Sequence, residues 1–178
     1  EIMDGFSPKY GASATDAAFN ALGSAWFLLN ELVWGEQRLQ VKWSFLPTDW
    51  ADRDPALLGE TLLEQPLKDY NGQAYWLSIP LDPWLPEGKI KDAFPDWLAI
   101  SLGYGADGML GGYGQDPWDE IEAREFRQWY LGVDIDFTRI HTRHKWLNSL
   151  LFALNMVRLP LPAVEFSSRG VHFRPFGQ

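Results

Sequence analysis

The sequence predicts an α+β fold: an antiparallel, curved sheet of five to six strands, at most a partial barrel, packed with two apolar helices. Three observations predict it. Four long stretches alternate large apolar residues with small or polar ones at a period of two. Two other stretches are apolar nearly all round over helical lengths. No segment of the 178 residues reads as a linker that would divide them, so residues 1–178 are expected to form a single domain. Within it, 1–35 is helical, 36–142 is rich in strands, and 143–178 adds a helix and a C-terminal hairpin.

The first predicted helix runs from Ser13 to Trp34. Ser13-Ala-Thr-Asp16 fits a capping box, which satisfies the orphan N–H groups of a helix start. From Ala17 to Trp34 its strong polar interruptions are Asn20, Ser24, Asn30 and Glu31. A helix this apolar is buried in protein or faces lipid, and its length approaches the roughly 20 residues of a spanning helix. Beyond Gly35 the period becomes two. In Arg38–Phe45, Leu39, Val41, Trp43 and Phe45 alternate with Arg38, Gln40, Lys42 and Ser44. Asp54-Pro55 then opens a short helix through Leu57, Leu58, Leu62 and Leu63. Gln73–Leu81 is the second strand.

Trp97–Ala106, the third strand, sorts by size: Leu98, Ile100, Leu102 and Tyr104 on one face, Ala99, Ser101, Gly103 and Gly105 on the other. A small-residue face admits a close neighbour or leaves room in a barrel interior. The fourth, Phe126–Thr138, sets Trp129, Leu131, Val133, Ile135 and Phe137 opposite Gln128, Tyr130, Gly132, Asp134, Asp136 and Thr138. That polar face is expected to be hydrated or to line a polar cavity. Lys145–Val157 is the second apolar helix, closed by Pro160 and Pro162, and Ala163–Phe166 with Val171–Arg174 form a hairpin. The Gly-rich acidic stretch from Gly108 to Glu125 reads as a mobile loop.

Composition narrows the function. Apolar residues at 46% exclude intrinsic disorder, and a net charge of −9 without clustered Lys and Arg argues against nucleic acid. The lack of cysteine removes disulfides, thiolate zinc sites and thiol nucleophiles. Ten tryptophans are unusual for an ordinary domain, and several fall on the apolar strand faces or near strand ends. Either helices cover those faces, or lipid does with the aromatic residues forming interfacial girdles. Six strands are too few for a self-contained bacterial pore.

The N-terminal segment Glu1-Ile-Met-Asp4-x-x-x-Pro8-x-x-Gly11-Ala-Ser13-x-x-Asp16-x-x-x-Asn20-x-x-Gly23 resembles the signature of the YfiM-like family of envelope lipoproteins. More distantly, it is similar to the VanZ-like membrane proteins, which place an acidic, Pro-containing turn before an Asp-x-x-x-Asn helix. Members carry a further helix upstream, and the start at Glu1, with Glu1–Gly5 reading as a helix end, predicts a segment before it. The strand-rich remainder, with Asp69-Tyr-Asn-Gly-Gln-Ala-Tyr-Trp76, looks like the extended version found in Bacteroidota-type bacteria. The resemblance implies an envelope location and no established activity.

Glu1, Asp4, Asp16 and Asn20 are the candidate polar site, able to converge across a helix–turn–helix in apolar surroundings. Alternatively Asp16 caps the helix while Glu1 and Asn20 fix the turn. A weaker pair, Asp134 and Asp136, shares one strand face and could bind a divalent cation, although alternating acids on a solvated face are commoner. His141 and His144 lack a third ligand at helical spacing, so no metal is expected. Gly103-Tyr-Gly105-Ala-Asp-Gly108 satisfies G-x-G-x-x-G, but no helix start follows it, and no dinucleotide or other cofactor is expected. With neither a nucleophile elbow nor a metal signature, the expectation is a membrane-associated structural or interaction protein of the Gram-negative outer envelope or periplasm. Its partners would be membrane lipid or an envelope protein, or further copies in an oligomer. The alternatives are an enzyme or binding protein for a lipid-linked envelope substrate, and a β-domain with a ligand cavity beside the small face of the third strand.

Overall fold

A computed structural model describes residues 14–109 and 125–177. The backbone divides into two compact units, Glu1–Leu39 and Gln40–Gln178. In the first, helix α1 spans Ala14–Trp34. It stops at Gly35, whose φ of 68° is left-handed and whose N–H donates to the Glu31 carbonyl at 2.8 Å. The chain then folds back along the helix. Asn30 Oδ1 accepts from the backbone N–H groups of Arg38 (3.1 Å) and Leu39 (2.9 Å), and Trp26 Nε1 donates to the Leu39 carbonyl at 2.8 Å. Asn30 therefore clamps the turn. No helix among the described residues is long and apolar enough to cross a membrane.

The second unit is an antiparallel meander of six strands in the order β1-β2-β3-β4-β5-β6, left open rather than closed into a barrel. The strands are β1 Gln40–Phe45, β2 Gln73–Pro80, β3 Leu98–Asp107, β4 Phe126–Ile135, β5 Ala163–Ser167 and β6 Gly170–Arg174. The α+β architecture with a curved antiparallel sheet is the one predicted. Strand β4 ends at Ile135 rather than Thr138. Asp136 caps a 3₁₀ turn, Phe137–Arg139, by accepting from the Thr138 N–H at 3.0 Å.

Long connections carry short helices: α2 (Asp49–Arg53), α3 (Pro55–Leu58) and α4 (Gln65–Lys68) between β1 and β2, and α5 (Lys89–Asp92) between β2 and β3. Leu62 and Leu63, expected on one helix with Leu57 and Leu58, lie beyond its end. Gly59, at φ 108°, closes α3, and a Cβ there would sit 2.8 Å from the Gln65 nitrogen. Asp69 is fully buried and ties this connection to the exit of β1. It accepts from Thr48 Oγ1 at 2.6 Å and from the Asn71 N–H at 3.1 Å.

Helix α6 (Lys145–Leu154) precedes β5 and buries none of its residues. It is held at its C-terminal end. Asn155 Oδ1 accepts from the Phe137 N–H at 2.9 Å, and Asn155 Nδ2 donates to Gln40 Oε1 at 2.8 Å. The chain then pairs with the edge of β1, where Trp43 N–H donates to the Met156 carbonyl (3.0 Å) and Arg158 N–H to the Trp43 carbonyl (2.9 Å).

Candidate functional site

The register sorts the sheet into two faces of opposite character. On one, Val41, Leu77, Leu102, Leu131, Val164 and Phe173 are successive cross-strand partners, forming an unbroken apolar row over all six strands. The next row is Trp43, Tyr75, Tyr104, Trp129, Phe166 and Val171. Tyr104 and Trp129 meet edge to face, 4.9 Å between ring centroids. These rows are open: Trp129 is 59% exposed, and Val41, Tyr75, Leu102 and Leu131 are exposed too. A shallow depression runs across them. Among the described residues of 40–178, no helix covers this face as the sheet–helix reading of the alternation would require.

The opposite face is polar and buried, which corrects the expectation of a solvated face for Asp134 and Asp136. They are 2% and 0% exposed. They do not form a shared two-carboxylate site, because each has its own partners. Lys42 Nζ lies 3.2 Å from Asp134 Oδ2 and donates to the Ile135 carbonyl at 2.7 Å. Asp136 accepts from Gln40 Nε2 (2.8 Å), Thr138 Oγ1 (2.5 Å) and Arg139 Nε (3.2 Å). Burial lowers the Lys42 pKa, while the Asp134 carboxylate opposes that shift.

Arg158 crosses the same interior. Its guanidinium lies 3.8 Å from the centre of the Trp76 ring and donates to Ser101 Oγ (3.1 Å) and to the carbonyls of Val133 (3.0 Å) and Leu161 (3.1 Å). Small residues on β3 and β4 make this packing possible. A Cβ on Gly103 would come within 2.5 Å of the Trp76 ring, and one on Gly132 within 2.7 Å of Arg158 Nη2. Burial pulls the Arg158 pKa down, with Asp134 holding it up. Further along, Glu165 Oε2 receives Arg174 Nη2 at 2.6 Å. With their donors and acceptors turned on one another, these groups form a structural network rather than a nucleophile–base pair.

One part of the polar face is open. A cavity of about 300 Å³ is lined by Thr48, Trp50, Arg53, Asp107, Gln128 and Tyr130, among others. Trp50 Nε1 donates to Asp107 Oδ1 at 2.6 Å, and the Arg53 guanidinium stacks 4.8 Å from the Trp50 ring. Burial, and next the Glu165 carboxylate, raise the Tyr130 pKa, so its phenol stays protonated.

Of the predicted polar site, Glu1 and Asp4 lie outside the described residues. Asp16 and Asn20 fall one turn apart on α1, where Asn20 is exposed and its carbonyl accepts from Ser24 Oγ at 3.0 Å. His141 and His144 are exposed, and no metal-binding cluster of three or more His, Cys, Asp or Glu occurs among the described residues. The G-x-G-x-x-G glycines lie in and just after β3, and most of the Gly108–Glu125 loop falls outside the described residues.

Two central residues were missed from sequence. Lys42 was placed on the correct strand face, but nothing marked that face as the inner one. Arg158 sits in an irregular segment before Pro160 and Pro162 and has no periodicity to flag it. No protein-family model, curated protein or solved structure matches the chain.

Proposed function

We propose that this chain is a membrane-associated structural or interaction protein of the Gram-negative outer envelope, with the apolar face of its sheet set against lipid. The observation that carries this reading is the inverted sheet: ion pairs and amides on the buried side, two unbroken apolar rows on the open side. Water favours the reverse arrangement, whereas outer-membrane strands alternate apolar outward and polar inward. From Trp129 to Ile135 the apolar stretch of β4 rises roughly 20 Å at about 3.3 Å per residue, against an apolar band of about 25 Å in outer-membrane barrels. The aromatic row at one end and exposed Trp84 and Trp97 near the other resemble the two interfacial girdles. An unpaired sheet edge cannot lie in hydrocarbon, so the reading is attachment by a face, not a complete pore. The envelope assignment rests on the YfiM-like motif of Glu1–Gly23.

The chain has no cysteine, so Leu102→Cys and Glu87→Cys each accept a single environment-sensitive fluorophore. With phosphatidylethanolamine/phosphatidylglycerol vesicles, the label at Leu102 is expected to shift to the blue and be quenched by a lipid-phase quencher, while that at Glu87 stays in water. A Leu102 label that remains in water, with protein that does not float with the vesicles, refutes the proposal.

A further inference from the structure

We infer that the cavity between α2 and β4 is a binding site for a small neutral polyhydroxyl ligand of the size of one sugar ring. Two side chains point to a ligand. Gln128 and Tyr130 are 6% and 4% exposed, yet among the described residues neither the Gln128 amide nor the Tyr130 hydroxyl has a hydrogen-bond partner. Both line the cavity. Polar groups turned inward are ordinarily paired with protein, water or a ligand, and here it is the cavity that they meet.

The available groups define the chemistry. A carboxamide offers a donor and an acceptor. The phenol, held protonated by burial and by Glu165, donates and accepts without charge. Asp107 holds Trp50 Nε1 and the Gly108 N–H (2.7 Å) through Oδ1 and presents a further acceptor in Oδ2. Such a set pairs with hydroxyls, which also donate and accept. An anion fits poorly. The lining carries the carboxylates Asp49 and Asp107, and of its two guanidinium groups, that of Arg174 is already held by Glu165 at 2.6 Å. The volume of about 300 Å³ lies at the lower end of small-molecule sites, which run from about 300 to 1,000 Å³. The inference stands apart from the membrane reading, since it uses the opposite face of the sheet.

The test is saturation-transfer NMR on the full chain with glucose and N-acetylglucosamine as probes and inorganic phosphate as the anionic control. At least one sugar is expected to bind saturably, and both Gln128→Ala and Tyr130→Phe to weaken it about tenfold or more, a loss of about 1.4 kcal/mol. Each variant removes a group with no internal hydrogen bond, so folding measured by circular dichroism is expected to be unchanged, as is flotation with vesicles. The inference is overturned if neither sugar binds, if binding survives both substitutions, or if phosphate binds in preference to the sugars. Should one variant misfold, the other decides alone.

Discussion

Lys42 Nζ lies 3.2 Å from Asp134 Oδ2, although β1 and β4 are separated by two other strands. Three interstrand spacings of about 4.8 Å would hold those strands about 14 Å apart in a flat sheet. The ion pair therefore bridges a concave face, and the curvature of the sheet and the burial of its polar side are one fact. The convex side then necessarily carries the Leu and Trp rows.

Breaking this pair from one side is expected to be costly. Lys42→Met leaves Asp134 charged and unpaired in the interior, and should reduce unfolding free energy by about 3–5 kcal/mol. The double variant Lys42→Met/Asp134→Leu removes both charges and is expected to recover most of that loss. Denaturant unfolding of the single and double variants measures the difference.

Gly103→Ala is expected to destabilise by about 1–3 kcal/mol through overpacking. The added methyl would meet the Trp76 ring at 2.5 Å, and that ring is fixed from its other surroundings by Arg158 and Tyr130. A lowered melting temperature, with a changed near-ultraviolet tryptophan spectrum, is the predicted result.

Tyr130 sets a pH dependence at the alkaline end. The folded protein keeps the phenolic proton, whereas the unfolded chain releases it near the ordinary value of 10.0. The unfolded state then binds fewer protons, so stability falls as pH rises through that value. Comparing wild type with Tyr130→Phe isolates the effect: the variant should lose less stability above about pH 10, and one of the six tyrosines should resist ionisation in the wild-type ultraviolet titration until the protein unfolds.

On the convex face, Leu131→Asp should leave stability without lipid within about 1 kcal/mol, since Leu131 is already half exposed. Vesicle binding should fall about tenfold or more, because a charge replaces apolar surface at the centre of the contact. Flotation against lipid concentration gives the ratio. Unchanged binding would turn this face from lipid to some other partner.

Much of the fold was legible because strand periodicity is local. Val41, Leu102 and Leu131 announced their faces by alternation alone, and Gly103 and Gly105 marked the small side of β3. Ends were less legible: the capping by Asp136 that stops β4 competes with strand propensity, and alternation gives no sign of that contest. The partners of Asp134 were invisible for a different reason. Lys42 is far away in sequence, and which of two alternating faces turns inward is not encoded in the alternation. Asn30 read as an interruption in an apolar helix, and only the returning chain at Arg38 and Leu39 gives it a role.

By itself, then, the sequence determined the strands, the two apolar helices and the separation of large apolar from small and polar residues, since these follow from side-chain spacing along one chain. The tertiary structure alone decided that the polar side is the concave, buried one, that Lys42, Asp134 and Arg158 meet beneath it, and that Gln128 and Tyr130 open onto a cavity. Those outcomes depend on how six strands curve together. Curvature is a property of the assembled sheet, set by contacts between residues far apart in the chain.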